Sequence, residues 1–273
     1  MSMFCCPNCG KMLTREEHRL VCAAGHSFDM AKSGYVNLLL NRQTAQKNHG
    51  DDKLMVKARS AFLQCGYYAP MRQELLRQCL AAAKKGMTVL DAGCGEGYYT
   101  AALASTLQEQ GYEPQMAGID ISKAALQEAS RRDKLTEYAV ASCFHLPVAE
   151  SSVGLLLSVF APYCGVEFTR VLRTDGRFVM VIPLENHLYG LKEAIYDKPY
   201  RNEVKPYELA GFTLEESREL RYEITLQGQE EIEALFMMTP YYYKTGAADQ
   251  QKLLTKTTLT TPAEFAVLRY KKE

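Results

Sequence analysis

Two groups of residues in this chain have the types and spacing to do chemistry. The first is Val89-Leu-Asp-Ala-Gly-Cys-Gly-Glu-Gly-Tyr-Tyr-Thr100, where a short apolar run closes on Asp91 and opens at once onto Gly93, Gly95 and Gly97. An acid after an apolar run marks the carboxyl end of a buried parallel strand. Glycines there let the backbone turn sharply and approach a ligand with no Cβ in the way. The spacing is Gly-x-Gly-x-Gly, not the pyrophosphate fingerprint Gly-x-Gly-x-x-Gly, and no Gly-Lys-Ser/Thr phosphate cradle follows. Asp120 ends a second apolar run 25 residues beyond Gly95. A carboxylate at that place can accept hydrogen bonds from both hydroxyls of a bound ribose. A plain strand-to-helix turn and an acid flanking the helix after Ser122 are the alternatives for these two features.

The second group is Cys6-Pro-Asn-Cys9, then twelve residues, then Cys22-Ala-Ala-Gly-His26. Two residues between Cys6 and Cys9 let both sulfurs turn back onto one ion, and Gly10 follows where a knuckle needs freedom. Cys22 and His26 add a thiolate and an imidazole. The resulting Cys₃His tetrahedron suits zinc and leaves no position for water, so the metal should be structural. About forty residues bury too little apolar surface to fold without such a staple. Cys5 is a spare thiol one position too far from Cys9 for the knuckle.

These groups need elements to hold them. The 273 residues allow one large domain and a small satellite. The expected division is a zinc-binding, RNA-recognition module over residues 1–40, a polar connection over 41–53 with His49-Gly50-Asp51-Asp52, and a large domain over 54–273. Asp52 can cap a helix carrying Met55, Val56, Arg59, Phe62 and Leu63, which Gly66 ends, and Pro70 opens a second helix. Tyr68 sits in the joint between them, placed either to face a cofactor or to pack in the core. Beyond it, strands expected at 87–91, 116–120, 138–141, 154–160 and 176–182 alternate with helices at 100–110, 123–132 and 168–173. Strands at 221–227 and 265–270 surround a helix at 229–238. This predicts a doubly wound, mainly parallel α/β sheet of seven strands with one antiparallel member. Ser142-Cys143, after the third strand, would approach an adenine.

Formal net charge is zero, which excludes a globally basic nucleic-acid binder, yet the first 60 residues hold nine Lys and Arg against five Asp and Glu. Aromatic residues beside Lys32, namely Phe28 and Tyr35, suit single-stranded RNA or else complete a small core. The odd cysteine number and the lack of a signal-peptide core or membrane-length apolar run point to a cytoplasmic protein.

The glycine loop is similar to the first motif of S-adenosylmethionine-dependent methyltransferases. The whole chain resembles a narrower family, the RlmA-type 23S ribosomal RNA (guanine-N1)-methyltransferases. The resemblance rests on the Cys₃His head, His26-Ser-Phe-Asp-Met-Ala-Lys-Ser-Gly-Tyr-Val-Asn-Leu38, Gly66-Tyr67-Tyr68, Gly93-Cys-Gly-Glu-Gly-Tyr-Tyr99, Phe160-Ala-Pro162, His187-Leu188 and Met237-Met-Thr-Pro-Tyr241. It implies methylation of a guanine N1 in a domain II hairpin of 23S rRNA near the peptide exit tunnel, by a homodimer whose zinc heads clasp the hairpin. It implies S-adenosylmethionine contacts from Tyr68, Asp91, Gly93, Gly95, Glu96, Gly97, Asp120, Ser142 and His187. His187 is also the candidate for a base-side role, with a structural histidine as the alternative. Relatives carry Asp or Asn where this chain has Ser142, and Thr174-Asp175-Gly176 replaces their usual Lys-Pro-Gly-Gly turn.

Overall fold

The computed structural model describes residues 1–40 and 50–273. The expected connection over 41–53 therefore lies outside the described residues except for Gly50 to Lys53. The head carries strands β1 (Leu13–Glu16), β2 (Arg19–Cys22) and β3 (Ser27–Asp29) in an antiparallel sheet, followed by β4 (Tyr35–Asn37). Next come α1 (Lys53–Gln64) and α2 (Ala69–Ala81). Asp52 caps α1 by accepting from the N–H groups of Leu54 and Met55, both at 2.9 Å, as its side-chain type predicts. Pro70 opens α2 in the first turn, where a missing N–H costs nothing.

The large sheet is laid down as β5 (Thr88–Ala92), α3 (Tyr98–Glu109), β6 (Gln115–Asp120), α4 (Lys123–Arg132), β7 (Thr136–Val140), β8 (Val153–Val159), α5 (Gly165–Val171) and β9 (Leu172–Pro183). It is completed by α6 (Tyr189–Ile195), β10 (Phe212–Gln227), α7 (Gln229–Met237), α8 (Tyr241–Lys244), α9 (Ala247–Gln251) and β11 (Thr258–Lys272). The strand order is β10-β11-β9-β8-β5-β6-β7-β4. Strands β4 to β9 of this sheet pair in parallel, and β11 runs antiparallel to both its neighbours.

The sheet thus has eight strands, one more than expected. The extra one is β4, supplied by the head, whose Tyr35, Val36 and Asn37 pair with Tyr138, Ala139 and Val140 of β7. The apolar run after Gly34-Tyr35 reads as strand-like in sequence, but its place in the large sheet follows only from its pairing with β7. The expected boundary at residue 40 is likewise not a boundary in packing. Strands buried on both sides alternate between two cores: Leu155 and Leu157 of β8 face α2, α3 and α7, while Leu156 faces the other way. Phe4, Leu13, Leu20, Val36 and Leu38 of the head join Leu156, Phe168 and Phe178 in that second core. The head is therefore one wall of the large domain.

Candidate active site and metal centre

Doubly wound sheets bind ligands where the strand order reverses, outside the carboxyl ends of the strands. Here the reversal lies between β5 and β8, and a cavity of about 570 Å³ opens there. Tyr68, Asp91, Gly93, Gly95, Glu96, Asp120 and His187 all line it, so seven of the nine residues expected to contact a cofactor converge on one space. Gly97 lies behind the loop as the left-handed N-cap of α3, where a Cβ would sit 3.0 Å from that of Ala129. Ser142 is not among the lining residues. Its hydroxyl instead accepts from the N–H of Phe144 at 3.2 Å and so shapes its own turn. A larger hollow of about 730 Å³, lined by Arg173, Asp175, Lys271 and their neighbours, contains none of these residues.

The loop's close approach is a matter of backbone geometry. Gly93 has φ +92°, and a Cβ there would collide with that of Ala161. A Cβ at Gly95 would meet only the Arg59 guanidinium, at 3.8 Å, so the tight glycine is Gly93. Asp120 braces the loop: one carboxylate oxygen accepts from the N–H of Gly95 at 2.9 Å and the other from that of Ser122 at 2.8 Å. Each oxygen keeps a second lone pair for a ligand.

The cavity is acidic. Burial raises Asp91 to about 6, against the Thr100 hydroxyl that donates to it at 2.6 Å, and Asp120 and Glu96 add their repulsion. Burial also raises Asp120 and Glu96. Among the described residues, the other carboxylate oxygen of Asp91 is buried without a hydrogen-bond partner, as is the hydroxyl of Tyr99, which lines the same cavity. Unpaired buried polar atoms are expensive unless a ligand completes them. Four acids, Asp51, Asp91, Glu96 and Asp120, line one space against the single cation Arg59, an excess that suits a cationic guest. Arg59 enters from α1, pairs with Asp51 and donates to the carbonyl of Met238 at 3.3 Å. Sequence reasoning placed Arg59 on α1 but missed its place in the site. The available signal was a lone cation inside an otherwise apolar helical stripe.

His187 is buried against the same wall. Its Nδ1 accepts from the backbone N–H of Glu264 at 3.3 Å, which leaves the proton on Nε2, 3.2 Å from the Tyr68 hydroxyl. Burial, with Lys192 nearby, lowers its pKa to about 3, so the ring is neutral at ordinary pH. Both ring nitrogens are engaged, and neither is free to take a proton from a substrate. Tyr68 is itself buried, fixed edge-on against Phe62 and Phe265.

In the head, Cys6, Cys9, Cys22 and His26 bring their ligand atoms within 4.8 Å of one another. Cys9 and Cys22 sulfurs are 3.7 Å apart, and His26 Nδ1 lies 3.5 Å from Cys6 Sγ and 3.4 Å from Cys22 Sγ. A tetrahedron with zinc–sulfur bonds of about 2.3 Å has edges of about 3.8 Å, and edges to nitrogen slightly shorter. Donor set and spacing both fit. Cys5 turns away, its sulfur 3.5 Å from that of Met12, and stays outside the cluster. Val36 is buried while Phe28 and Tyr35 are half-buried against the large domain, so these side chains complete cores.

The fold and the cavity define a methyltransferase domain, and a family described as "Methyltransferase domain" matches residues 83–231. A second, described as "RlmA, N-terminal", matches residues 4–44. A Bacillus subtilis (strain 168) protein provisionally named a 23S rRNA (guanine-N1)-methyltransferase is 32% identical over 250 residues, covering 88% of this chain and 86% of its own. The 23S rRNA (guanine(748)-N1)-methyltransferase of Streptomyces fradiae is 37% identical over 193 residues, 70% of this chain and 66% of its own. The chain belongs to the 23S rRNA (guanine-N1)-methyltransferase family with an RlmA-type zinc-ribbon head. A solved structure of the YcgJ protein from Bacillus subtilis covers 74% of this chain and 99% of its own, at 15% identity and a TM-score of 0.49. That likeness adds nothing to the assignment.

Proposed function

We propose that this protein transfers the methyl group of S-adenosylmethionine to N1 of a guanine in a domain II hairpin of 23S ribosomal RNA. The observation that carries the reading is the presence on one chain of the RlmA-type head and the glycine-loop cavity. The cavity suits the cofactor chemically. The unpaired oxygen of Asp91 matches an ammonium group, Asp120 retains lone pairs for ribose hydroxyls, and Gly93 lets the Ala161 turn pack directly against the glycine loop that lines the cavity. Glu96, Gly95, Gly97, Tyr68 and His187 complete the proposed cofactor set, and Ser142 supports the adenine end from outside the lining.

S-adenosylmethionine brings a methyl group already activated on a sulfonium, so the protein's work is to align, exclude water and handle one proton. Guanine N1 must lose that proton as it attacks. With its Nδ1 taken by Glu264 and its Nε2 by Tyr68, His187 is better suited to holding Tyr68 than to accepting the proton. The proposed metal at Cys6, Cys9, Cys22 and His26 is structural, since four protein ligands close its sphere.

RNA contact is supported by a hollow between the head and α4. Lys32, Arg131 and Lys134 line it together with Ala31, Ser33, Tyr35 and Gln127, with Arg131 also paired to Glu128 at 2.9 Å. Phosphate contacts of this kind weaken steeply with salt. The homodimer and the cytoplasmic location rest on the family resemblance and the ribosomal substrate. Among the described residues no helix is long and apolar enough to cross a membrane. Incubating the protein with tritiated S-adenosylmethionine and unmodified 23S rRNA tests the reading: label should appear as 1-methylguanosine after nuclease digestion. Label confined to small phenols, or none in RNA, would move the assignment to a small-molecule methyltransferase.

A further inference from the structure

Among the described residues, two non-glycine residues of the cavity, Phe160 and Leu188, have left-handed backbones; Leu188 is buried, whereas Phe160 is exposed. Phe160 follows β8 directly, and its backbone adopts φ +55°, a left-handed conformation that bulky side chains rarely take. The turn is held in place, since the Phe160 N–H donates to the carbonyl of Val181 at 3.1 Å. The next residue, Ala161, occupies the space that a side chain at Gly93 would need, so this turn presses directly on the glycine loop. The aromatic ring gains little burial for the strain: the residue remains 44% exposed while lining the cavity. Behind it, His187 lies nearly parallel, with centroids 6.3 Å apart and planes 15° apart, and Phe265 is 5.8 Å away.

A strained turn that holds an apolar ring half in solvent, beside a cofactor-type loop, has no reason in packing. It has one in recognition. Every base has a π-face, and an unpaired base gains roughly five- to a hundredfold in affinity by stacking on an aromatic ring. Enzymes that act on a base ring take it out of its stack and read it in a pocket lined by such rings. Guanine N1 lies on the pairing edge, so it can be reached only when the base is unpaired. We infer that Phe160 is the platform on which the target base stacks, with His187 and Phe265 as its backing. The inference rests on the proposed RNA methylation and assigns the substrate side of that site.

The test uses the full-length, metal-bound protein, S-adenosylmethionine and an unmodified transcript of 23S rRNA domain II. Phe160→Ala should lower kcat/KM for the transcript by roughly ten- to a hundredfold while calorimetric affinity for S-adenosylmethionine stays within about twofold. Phe160→Tyr and Phe160→Trp, which keep a π-face, should recover most of the rate. Phe160→Leu, which keeps apolar bulk alone, should not. Equal rescue by Leu and Tyr would mean that the ring merely fills space and would overturn the platform. So would a Phe160→Ala protein that methylates at the wild-type rate. A wild-type protein that binds S-adenosylmethionine yet methylates no guanine of the transcript would sink the functional reading, and the platform with it.

Discussion

The strands of the head are three or four residues long and largely exposed along one side, whereas β5 and β8 are buried over nearly their whole length. The large sheet supplies its own apolar burial. The head cannot, and relies on two substitutes: a four-ligand cluster, and the face of the large sheet into which Phe4, Leu13, Leu20 and Val36 insert. The polar atoms of the two regions differ as well. In the head the ligand atoms face one another and close a sphere. In the cavity an oxygen of Asp91 and the hydroxyl of Tyr99 are buried without partners among the described residues. On the proposed reading, one region is completed by a structural ion and the other by a ligand that exchanges. Cohesion sits at the sheet's edge and chemistry at its switch point.

The largest expected effect comes from breaking the head. Structural zinc sites of this kind contribute about 10–16 kcal/mol, comparable with the whole stability of a domain. Because the head shares the second core, Cys22→Ser should lower a single heat-unfolding transition by on the order of ten degrees or more. A second transition remaining at the wild-type temperature would show the head to be an independent unit.

Next in size is Gly93→Val, which combines a left-handed backbone with a collision at Ala161. Such strain and overpacking cost about 1–3 kcal/mol each, so S-adenosylmethionine affinity by calorimetry should fall about a hundredfold. Gly95→Val should fall less, since a side chain there meets only Arg59 at first contact. The reverse order would move the tight end of the loop to Gly95. Asp120→Ala strips the brace from Gly95 and Ser122 and the proposed ribose acceptors. At about 1–3 kcal/mol for each unpaired group, it should weaken the same affinity by about tenfold or more, and unchanged binding would place the cofactor elsewhere.

The smallest effect is a pH dependence. Asp91 has a folded pKa raised to about 6, so in the free protein its ionisation costs stability as pH rises from the unfolded carboxyl range through 6. Cation binding shows the opposite trend. Affinity for S-adenosylmethionine should be full above pH 6 and fall below it by up to about tenfold per unit. Asp91→Asn should bind more weakly at pH 7, show no such fall, and unfold at a higher temperature than wild type. A wild-type affinity that is flat between pH 5 and 7 would separate Asp91 from the ligand.

Much of this was legible in the residues because their signals are local. Glycines at alternate positions after an apolar run, a cysteine pair separated by two residues and a cysteine–histidine pair separated by three are each visible within a dozen residues. What stayed hidden depended on distant partners. The strand-like run at β4 gives no sign that its partner is β7, a hundred residues away, and β10 carries charged residues over Thr213–Arg221 that show no clean alternation. The helices α6, α8 and α9 are each one or two turns long, too short for a period of 3.6 to register. His187 lines the cavity, and its hydrogen bond from the N–H of Glu264, 77 residues away, is a partner that no local signal announces.

The central claim is that the cavity between β5 and β8 methylates N1 of a ribosomal guanine. Primer extension on 23S rRNA tests it most directly, because a methyl group at N1 blocks the pairing edge and halts reverse transcriptase. Ribosomal RNA from cells with this protein should show a stop at one guanine of domain II. The stop should vanish when the gene is deleted, return with the wild-type gene, and stay absent with Gly93→Val. Identical extension patterns with and without the gene, across the whole of the 23S rRNA, would contradict the account.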